Sequence, residues 1–281
     1  SYSQGLTPNP DIVCNKKIKF EVFAELARKI GAERIATGHY ANIETTDSSI
    51  LLKKGKDPEK DQSYFLSGLN QEQLKFAMFP LGEMKKNEVR EVAKRYNLVN
   101  SDKKSTSGIC FIEQKSFRDF ITNYIQDKPG HIQTLDKVII GEHRGLHLYT
   151  IGQRKGLGIG GVKNSQNSPW FVVNKDIKQN ILYVAQGEDH PALLATKLLA
   201  SNAFWIKGES PNFPLCCSAK IRYRQADQAC KIELYEDGKL CVRFKNPQRA
   251  IAPGQTIVFY KGDLCLGNAI IETNCNLNNF Y

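Results

Sequence analysis

Three side chains in this sequence have the types and positions needed for sulfur or acid–base chemistry: Asp11, Cys14 and Cys110. The first two lie in residues 7–15, Thr-Pro-Asn-Pro-Asp-Ile-Val-Cys-Asn, where two prolines favour an extended backbone. Apolar residues at helical spacing predict a helix over residues 17–30 directly afterwards. Asp11 and Cys14 would then stand at the helix start, whose unpaired N–H groups and partial positive charge favour the reactive thiolate. The alternative interpretation is a proline-rich helix start with an incidental buried cysteine.

Cys110 is the second candidate for a reactive cysteine. It follows the flexible sequence Ser-Thr-Ser-Gly at residues 105–108 and precedes an amphipathic segment that predicts a helix over residues 114–126. The eight cysteines include no C-x-x-C pair and no cysteine–histidine set at zinc-finger spacing, which fits a protein of the reducing cytoplasm. The cysteines in strand-like runs, predicted to be buried and inert, are Cys216, Cys217, Cys230, Cys241 and Cys265.

The elements around the reactive residues read as half of a βαβ unit. The predicted helix is followed by residues 34–40, Arg-Ile-Ala-Thr-Gly-His-Tyr, which predict a short buried strand. Ligands of open α/β sheets bind at the carboxyl ends of strands, so Gly38 and His39 are placed for ligand contact, although a lone histidine after a strand is more often structural. A hairpin is predicted over residues 41–54, and helices over residues 70–79 and 85–96. The apolar residues that define the first helix face are Ile18, Val22, Leu26 and Ile30.

A turn sequence at residues 127–130, Asp-Lys-Pro-Gly, marks a boundary beyond which short strands predominate. Strands predicted at residues 215–224, 228–235, 239–244 and 256–260 have the spacing of a small barrel or sandwich. The loop at residues 152–161 contains a G-x-G-x-x-G match. Because no helix pattern follows it, we interpret it as a basic glycine loop and not as a dinucleotide site.

The charge balance points to a polyanionic partner. The chain of 281 residues carries a net charge of +10, and it has no apolar run long enough to cross a membrane. Arg222, Tyr223 and Arg224 interleave cations with an aromatic ring, a combination suited to RNA phosphates and stacked bases. An ordinary basic strand face would explain these three residues nearly as well.

Together these segments resemble the tRNA 2-thiouridylase family, the ATP-dependent enzymes that thiolate the wobble uridine. The matches run in family order over essentially the whole chain. They are residues 7–15, Ala-Thr-Gly-His-Tyr at 36–40, Lys-Asp-Gln-Ser-Tyr-Phe-Leu at 60–66, Ser-Gly-Ile-Cys-Phe-Ile at 107–112, the glycine loop at 152–161, and Arg-Tyr-Arg-Gln at 222–225.

The resemblance implies a fold of class α/β plus β. Residues 1–128 would form the C-terminal part of a Rossmann-like ATP-pyrophosphatase domain with appended helices. Residues 129–196 would form a small β-rich central domain, and residues 197–281 a C-terminal β-barrel that binds tRNA.

The resemblance also implies the chemistry. ATP, with Mg²⁺, would adenylylate the C2 oxygen of the uridine, and Gly38 would contact the nucleotide. Cys110 would carry sulfur as a persulfide received from a sulfur-relay protein or a cysteine desulfurase. Cys14 would help to release that sulfur and leave a Cys14–Cys110 disulfide, while Asp11 would act as the acid–base group. The implied tRNA contacts are Asn9, Pro10, Asp11, His39, Lys60, Asp61, Gln62, Arg222, Tyr223 and Gln255.

One departure from the family pattern concerns ATP. The family's nucleotide-binding loop, Ser-Gly-Gly-Val-Asp-Ser, cradles pyrophosphate with backbone N–H groups, and it does not occur within these 281 residues. We therefore expect residues 1–281 by themselves to bind ATP weakly or not at all.

Two other functions stay open at this point. The chain could be a non-catalytic tRNA-binding module, with its basic β domains intact and its chemistry lost. Alternatively, Asp11, Cys14 and Cys110 could ligate a metal or an iron–sulfur cluster, because thiolates suit such clusters and three ligands leave an open position.

Overall fold

The computed structural model describes residues 1–103, 117–160 and 168–274. Its first long helix begins earlier than predicted. After a 3₁₀ turn at Tyr2–Gln4, helix α1 (Pro10–Val13) continues through a π-helical stretch (Cys14–Val22) into helix α2 (Phe23–Lys29). The helix predicted over residues 17–30 thus starts at Pro10, because proline is well suited to the first helical position and Asn9 caps it.

The predicted apolar face of this helix is wrong. Ile18, Val22, Leu26 and Ile30 are between 57% and 79% exposed. The buried face instead carries Phe20, Ala24 and Ala27, which pack into a core cluster with the strands behind them. The two alanines allow the helix backbone to approach those strands closely, so small side chains outcompete the larger ones for the interior.

The α/β part contains a short parallel sheet and four further helices. Strand β1 (Ile35–Ala36) pairs in parallel with strand β4 (Ala77–Met78). Between and after these strands lie α3 (Ser63–Leu66), α4 (Gln71–Phe76), α5 (Lys86–Arg95) and α6 (Phe117–Thr122). The helix predicted over residues 70–79 ends at Phe76 because the next two residues join the sheet. Residues 114–116 of the helix predicted over residues 114–126 lie outside the described ranges, and the described helix α6 ends at Thr122.

The predicted hairpin at residues 41–54 is confirmed, and it belongs to a sheet of the C-terminal part. Its strands are β2 (Ala41–Thr45) and β3 (Ile50–Lys54), joined by a turn in which Thr46 N–H donates to Ser49 O. Strand β3 pairs with a strand of the C-terminal barrel through Lys53 and Leu264. The hairpin therefore ties the α/β part to the barrel.

The central part is a four-stranded sheet. Its strands are β5 (Gly130–Thr134), β6 (Ile139–His143), β7 (Trp170–Asp176) and β8 (Ile181–Gln186), in the order β6-β5-β8-β7. Strands β5 and β8 run parallel, whereas the other neighbours are antiparallel. Ile132, Val172 and Leu182 fill its core. The described part of the glycine loop, residues 152–160, forms turns.

The C-terminal part is a closed six-stranded barrel. Its strands are β9 (Leu194–Trp205), β10 (Leu215–Lys220), β11 (Gln228–Leu234), β12 (Leu240–Arg249), β13 (Thr256–Lys261) and β14 (Leu264–Asn274). Pairing of β13 with β14 closes the ring, and short 3₁₀ turns lie at Leu146–Leu148, Pro191–Leu193 and Glu236–Gly238. No helix in the described ranges is long and apolar enough to cross a membrane.

The strand predicted over residues 215–224 ends at Lys220. The Gln225 side chain accepts a hydrogen bond from the Ile221 N–H at 2.8 Å, and the Gln225 N–H donates to Arg222 O at 3.2 Å. These two bonds bend the chain into a turn. Arg222 and Tyr223 therefore lie in a turn beyond the strand, and not on a strand face.

A buried ion pair joins the α/β part to the barrel. The Asp61 carboxylate accepts hydrogen bonds from Gly55 N–H at 3.1 Å, Ser63 N–H at 3.0 Å and Ser63 Oγ at 3.1 Å. Lys220 Nζ lies 3.6 Å from the same carboxylate and 3.5 Å from Asp227. Because both Asp61 and Lys220 are buried, removing Lys220 would take away the cation that pairs with the Asp61 carboxylate, whereas removing Asp61 would leave Lys220 with Asp227.

His39 is a core residue of the α/β part. Its ring lies 6.1 Å from Phe20 and 6.0 Å from Phe79, and its Nδ1 is 2.8 Å from Thr37 Oγ1. Burial, with a smaller contribution from the Lys19 charge, lowers the pKa of His39 to about 4. The imidazole is therefore neutral at physiological pH.

This packing predicts that the protein loses stability on acidification. The folded pKa of His39 lies below its unfolded value, so the unfolded chain binds more protons as pH falls from about 6.5 to 4. His39 thus contributes stability above pH ~6.5, and up to about 3 kcal/mol of it is lost on the way to pH ~4. Urea unfolding of the protein and of His39→Gln across this range measures the difference.

The His39→Gln variant should show a shallower loss of unfolding free energy on acidification. Some dependence should persist, because burial also lowers the pKa values of His143 and His147. The exposed His131 provides a matched control, and His131→Gln should follow the parent curve. Parallel curves for the parent and His39→Gln would contradict the buried, neutral assignment.

The ion pair gives a second stability prediction. Asp61→Asn should lower the free energy of unfolding by about 1–3 kcal/mol, because Lys220 loses one of its two carboxylate partners and keeps Asp227. Asp47→Asn, at the exposed tip of the β2–β3 hairpin, should change it by less than about 0.5 kcal/mol. A change at Asp61 as small as that at Asp47 would show that the pair does not hold the two parts together.

Candidate functional site

The site is built around the capped start of helix α1. The Asn9 side-chain Oδ1 accepts hydrogen bonds from Asp11 N–H at 3.2 Å and from Ile12 N–H at 3.4 Å. The nearby Tyr64 phenol, in helix α3, donates to Thr256 O of the barrel at 2.7 Å. Burial raises the pKa of Tyr64, so this phenol stays protonated. Asn9 therefore fixes the helix start, and Tyr64 fixes helix α3 to the barrel.

Cys14 lies one turn inside the helix, whereas the sequence predicted it at the helix start. Asp11 is in the first turn of helix α1, whereas Cys14 follows its last residue, and the Cys14 N–H is bonded to the carbonyls of Pro10 and Asp11. The Cys14 side chain is half-buried, and its sulfur is free of any disulfide. It begins the π-helical stretch, a local geometry found frequently at functional sites.

Cys110 lies outside the described residues, so its position relative to Cys14 stays a prediction. The same holds for the three-residue metal or cluster set of Asp11, Cys14 and Cys110. Within residues 1–103, 117–160 and 168–274, no group of three or more histidine, cysteine, aspartate or glutamate side chains is placed to hold a metal ion.

The predicted nucleotide contact, Gly38, is accessible. It follows strand β1 at the carboxyl end of the parallel β1–β4 pair and is exposed. A Cβ atom at this glycine would meet only Leu81 Cδ1, at 3.8 Å. Open space over backbone at a strand end is compatible with a phosphate or a nucleotide lying close to the chain. The neighbouring His39 is instead buried, and its neutral ring cannot form an ion pair with RNA at neutral pH.

The predicted tRNA-contact segment at residues 60–62 runs along the edge of the site. The Gln62 side chain accepts a hydrogen bond from Tyr40 N–H at 3.0 Å, and the Gln62 N–H donates to Tyr40 O at 2.7 Å. Gln62 thus connects this segment to the Gly38–His39 loop. Lys60 is half-exposed, whereas the Asp61 side chain is buried in its ion pair with Lys220.

Arg222 and Tyr223 reach the same place from the barrel. Tyr223 packs its ring 4.3 Å from the Phe65 ring and donates from its phenol to Lys60 O at 3.4 Å. The exposed Arg222 donates from Nη2 to the Arg249 carbonyl. A cavity of about 380 Å³ is lined by Lys60, Tyr223, Arg224 and Gln225 among others. Its wall carries the cations Lys60, Lys220 and Arg224 together with the carboxylates Glu59 and Asp61.

Gln255 contacts the N-terminal segment directly. Its Nε2 donates to Thr7 O at 2.8 Å, while the Thr7 N–H donates to Pro253 O at 3.1 Å. Thr7 Oγ1 also lies 3.2 Å from Thr150 Oγ1 in the central part. The stretch that carries Asn9, Pro10 and Asp11 is thereby held by all three parts of the structure.

Sequence reasoning missed three residues that organise this site: Tyr64, Lys220 and Arg249. Tyr64 lay in an apolar patch and Lys220 in a strand pattern, and neither pattern distinguishes a site residue from a core residue. Arg249 follows a glutamine at the end of strand β12, and its sequence context carries no signal.

The other described cysteines lie in strands of the C-terminal barrel. Cys230, Cys241 and Cys265 are buried as predicted, but Cys216 is exposed because adjacent residues of strand β10 point to opposite sides. Cys217 Sγ lies 3.7 Å from Cys230 Sγ. This contact and burial raise the pKa of Cys230, and burial raises that of Cys265, which keeps both thiols protonated and unreactive.

Comparison with family models divides the chain into three matched regions. A model described as a tRNA methyl transferase HUP domain matches residues 1–114, and a tRNA methyl transferase PRC-barrel domain matches residues 118–186. An aminomethyltransferase beta-barrel domain matches residues 195–271. The Rossmann-like, central and barrel parts predicted from the sequence are therefore confirmed as fold classes.

Curated relatives cover nearly the whole chain. The tRNA-specific 2-thiouridylase MnmA of Nitrosomonas europaea is 50% identical over 270 residues, which are 96% of this chain and 75% of the relative. The protein of the same name from Francisella philomiragia is 51% identical, over 96% of this chain and 76% of the relative. MnmA 1 of Geobacillus kaustophilus is 50% identical, with coverages of 96% and 72%. With half of its residues identical across all three parts, the chain belongs to the tRNA-specific 2-thiouridylase family.

Proposed function

We propose that this protein is an ATP-dependent sulfurtransferase that converts the wobble uridine of tRNA to 2-thiouridine. The observation that carries the proposal is the identity of about 50% with proteins named tRNA-specific 2-thiouridylase over 96% of the chain. The geometry supports it, because Asn9, Asp11 and Cys14 lie together on one braced helix start, beside the cationic turn at Arg222.

The first step activates the base. ATP transfers its adenylyl group to the C2 oxygen of the uridine and releases pyrophosphate, which converts that oxygen into part of a good leaving group, AMP. In this chain Gly38 would contact the nucleotide by close backbone approach, which its open surroundings permit. Magnesium would accompany the ATP phosphates, as it does in phosphoryl and nucleotidyl transfer generally.

The second step transfers sulfur. Cys110 carries a persulfide, R–S–SH, received from a sulfur-relay protein or a cysteine desulfurase. Its terminal sulfur attacks C2, AMP leaves, and the base is then linked through a disulfide bond to Cys110. The Cys14 thiolate attacks the Cys110 sulfur, so that 2-thiouridine leaves and a Cys14–Cys110 disulfide remains. Reduction of that disulfide by an external thiol restores both cysteines.

Asp11 is the acid–base group in this scheme. It lies in the first turn of helix α1 and precedes Cys14 by three residues, so both groups lie on one side of the helix. A carboxylate there can accept a proton during attack on the base and return it to the leaving group. Asn9 and Pro10, held by the cap and by the barrel, would contact the base itself.

The remaining tRNA contacts follow from the site geometry. Lys60, Arg222 and Tyr223 line one cationic edge and would meet phosphates and a base face. Gln62, Asp61 and Gln255 are engaged within the protein by their side chains, so they would act on RNA mainly by positioning their neighbours. Residues 1–128, 129–196 and 197–281 would act as one catalytic and two tRNA-holding units.

The cysteine roles predict where sulfur is found. With sulfur donor present, mass spectrometry of the full-length gene product should locate the added sulfur on Cys110. Cys110→Ser should abolish thiolation, because no persulfide forms. Cys14→Ser should still form the persulfide but thiolate at least a hundredfold more slowly, because the disulfide-forming release step is lost.

The exposed Cys216 offers a matched control, and Cys216→Ser should retain parental activity. Added sulfur on Cys14, or normal thiolation by Cys110→Ser, would contradict the assigned roles. Iron and acid-labile sulfide in anaerobically purified protein would favour the cluster alternative, and tRNA binding without thiolation would favour the non-catalytic module.

Arg222 predicts a salt-dependent change in RNA affinity. Arg222→Ala should weaken tRNA binding by about 1–3 kcal/mol and make the log–log salt dependence shallower by about one unit, because one phosphate contact is lost. Fluorescence anisotropy over a salt series measures both quantities. The control is Arg243→Ala on strand β12, since Arg243 is paired with Glu233 on the outer barrel surface. Equal affinities and slopes for Arg222→Ala and the parent would show that this turn faces away from the RNA.

A further inference from the structure

Arg249 lies where the three parts of the structure meet. It ends strand β12, and its side chain crosses from the barrel to the central part. Its Nε donates to Glu188 O at 2.8 Å, and its Cζ lies 4.8 Å above the Phe171 ring. Both contacts hold the guanidinium in one orientation, which is the arrangement that planar recognition of an oxyanion requires.

The backbone next to Arg249 is constrained as well. Ala250 has a φ of +56°, a left-handed conformation unusual for a residue with a side chain. Its N–H donates to Leu193 O at 2.7 Å, and a Cβ atom at Gly152 would lie 2.4 Å from the Ala250 Cβ. The glycine loop of the central part therefore packs directly against this turn, and its exposed Arg154 and Lys155 follow within three residues. Such strained positions cluster at functional sites.

The charge of Arg249 has no protein counterion. Within the described residues, neither Arg249 nor Arg222 has a carboxylate within ion-pair distance, although eleven other ion pairs are present. Arg249 Nη2 is buried without a hydrogen-bond partner. A buried donor without a partner costs free energy, and an anionic ligand would relieve that cost.

Arg222 places a second cation at this point. Its Nη2 donates to the Arg249 carbonyl, and burial together with the Arg249 charge lowers the pKa of Arg222. Both guanidinium groups nevertheless stay charged at any physiological pH. Two neighbouring cations that repel one another, without an acidic partner, are the usual composition of a phosphate site.

The pair also lies beside the predicted position of the target base. Arg222 is followed by Tyr223, whose ring lies 6.3 Å from the Tyr64 ring. Tyr64 donates to the Thr256 carbonyl, and the adjacent Gln255 donates to Thr7 O, two residues before Asn9. Adjacent phosphates in a nucleotide chain lie within several ångströms of the base they flank, so a base held at Asn9 to Asp11 brings its own phosphodiester to this junction.

From these observations we infer that Arg249 and Arg222 together bind the RNA phosphodiester that flanks the target uridine. Arg249 is a binding and positioning residue in this assignment and takes no part in sulfur chemistry. The inference rests on the proposed function for the identity of the uridine, whereas the phosphate site itself rests on the two arginines. The two arginines bind the RNA backbone, while the helix start at Asn9 binds the target base.

The test is a double-mutant cycle between the protein and the RNA. The RNA is an anticodon stem-loop in which the phosphate on either side of the wobble uridine is replaced, one at a time, by an uncharged methylphosphonate. For one of the two positions, the parent should bind the neutral RNA about tenfold more weakly than the unmodified RNA. Arg249→Gln should bind unmodified RNA about tenfold more weakly, with a log–log salt slope smaller by about 0.7 to 1.

The decisive arm combines both changes. Arg249→Gln should bind the methylphosphonate RNA no more weakly than it binds unmodified RNA. The arginine charge and the phosphate charge interact with each other, so once one is removed, removing the other has no further effect. Additive losses would overturn the inference and would indicate that Arg249 only joins the barrel to the central part. Arg243→Gln, on the same strand, should leave the methylphosphonate effect at its parental size.

Further arms separate the alternatives. If Arg249→Gln does not fold, Arg249→Lys replaces it. This variant should keep the salt slope but lose part of the methylphosphonate effect, since lysine lacks the planar guanidinium group.

The parent protein alone can also overturn the inference. It would do so if its affinity for the RNA were unchanged by either methylphosphonate. ATP affinity of the full-length gene product should be unchanged by Arg249→Gln, and a loss confined to ATP would overturn the RNA assignment. If the RNA-binding results are as expected but the protein never thiolates tRNA, the phosphate site is supported and the proposed enzymatic function is refuted.

Discussion

The structure depends on how the N-terminal segment is held against the barrel. Thr7 is bonded through its N–H to Pro253 and through its carbonyl to Gln255, and its hydroxyl meets Thr150. Two residues later, Asn9 caps helix α1, and the Tyr64 phenol donates to the barrel backbone at Thr256. The segment that carries the candidate chemistry is thus fixed by hydrogen bonds to distant parts of the chain. Catalytic geometry of this kind requires positioning to well under an ångström, and a single flexible loop could not supply it.

The barrel and the α/β part behave as one unit for electrostatic reasons as well. The β2–β3 hairpin adds to the barrel sheet, and beneath it Asp61 and Lys220 form a buried pair whose separation would be costly. Within the described residues, Arg222 in the turn after Lys220 and Arg249 at the end of strand β12 have no such carboxylate partner. Positive charge thus stays unbalanced at the junction where RNA is expected to bind.

Local sequence signals predicted the elements better than they predicted the site. The β2–β3 hairpin and the barrel strands followed from alternation and turn residues, because those patterns reflect short-range geometry. The apolar repeat of Ile18 and Val22 failed, since burial was decided by Phe20, Ala24 and Ala27 packing on strands far along the chain. Cys14 was placed in the right helix but one turn too early, because the asparagine cap at Asn9 was not recognised. Arg249 and Tyr64 could not have been found, as their roles arise from contacts with residues distant in sequence, such as Glu188 and Phe171 for Arg249 and Thr256 for Tyr64.

The most direct test of the account is nucleoside analysis of a tRNA substrate lacking the modification, after incubation with the full-length gene product. The account predicts 2-thiouridine at the wobble position only when ATP and a persulfide donor are both present. It also predicts one AMP released for each sulfur transferred. Tight tRNA binding with neither 2-thiouridine nor AMP would contradict the account, as would thiolation that proceeds without ATP.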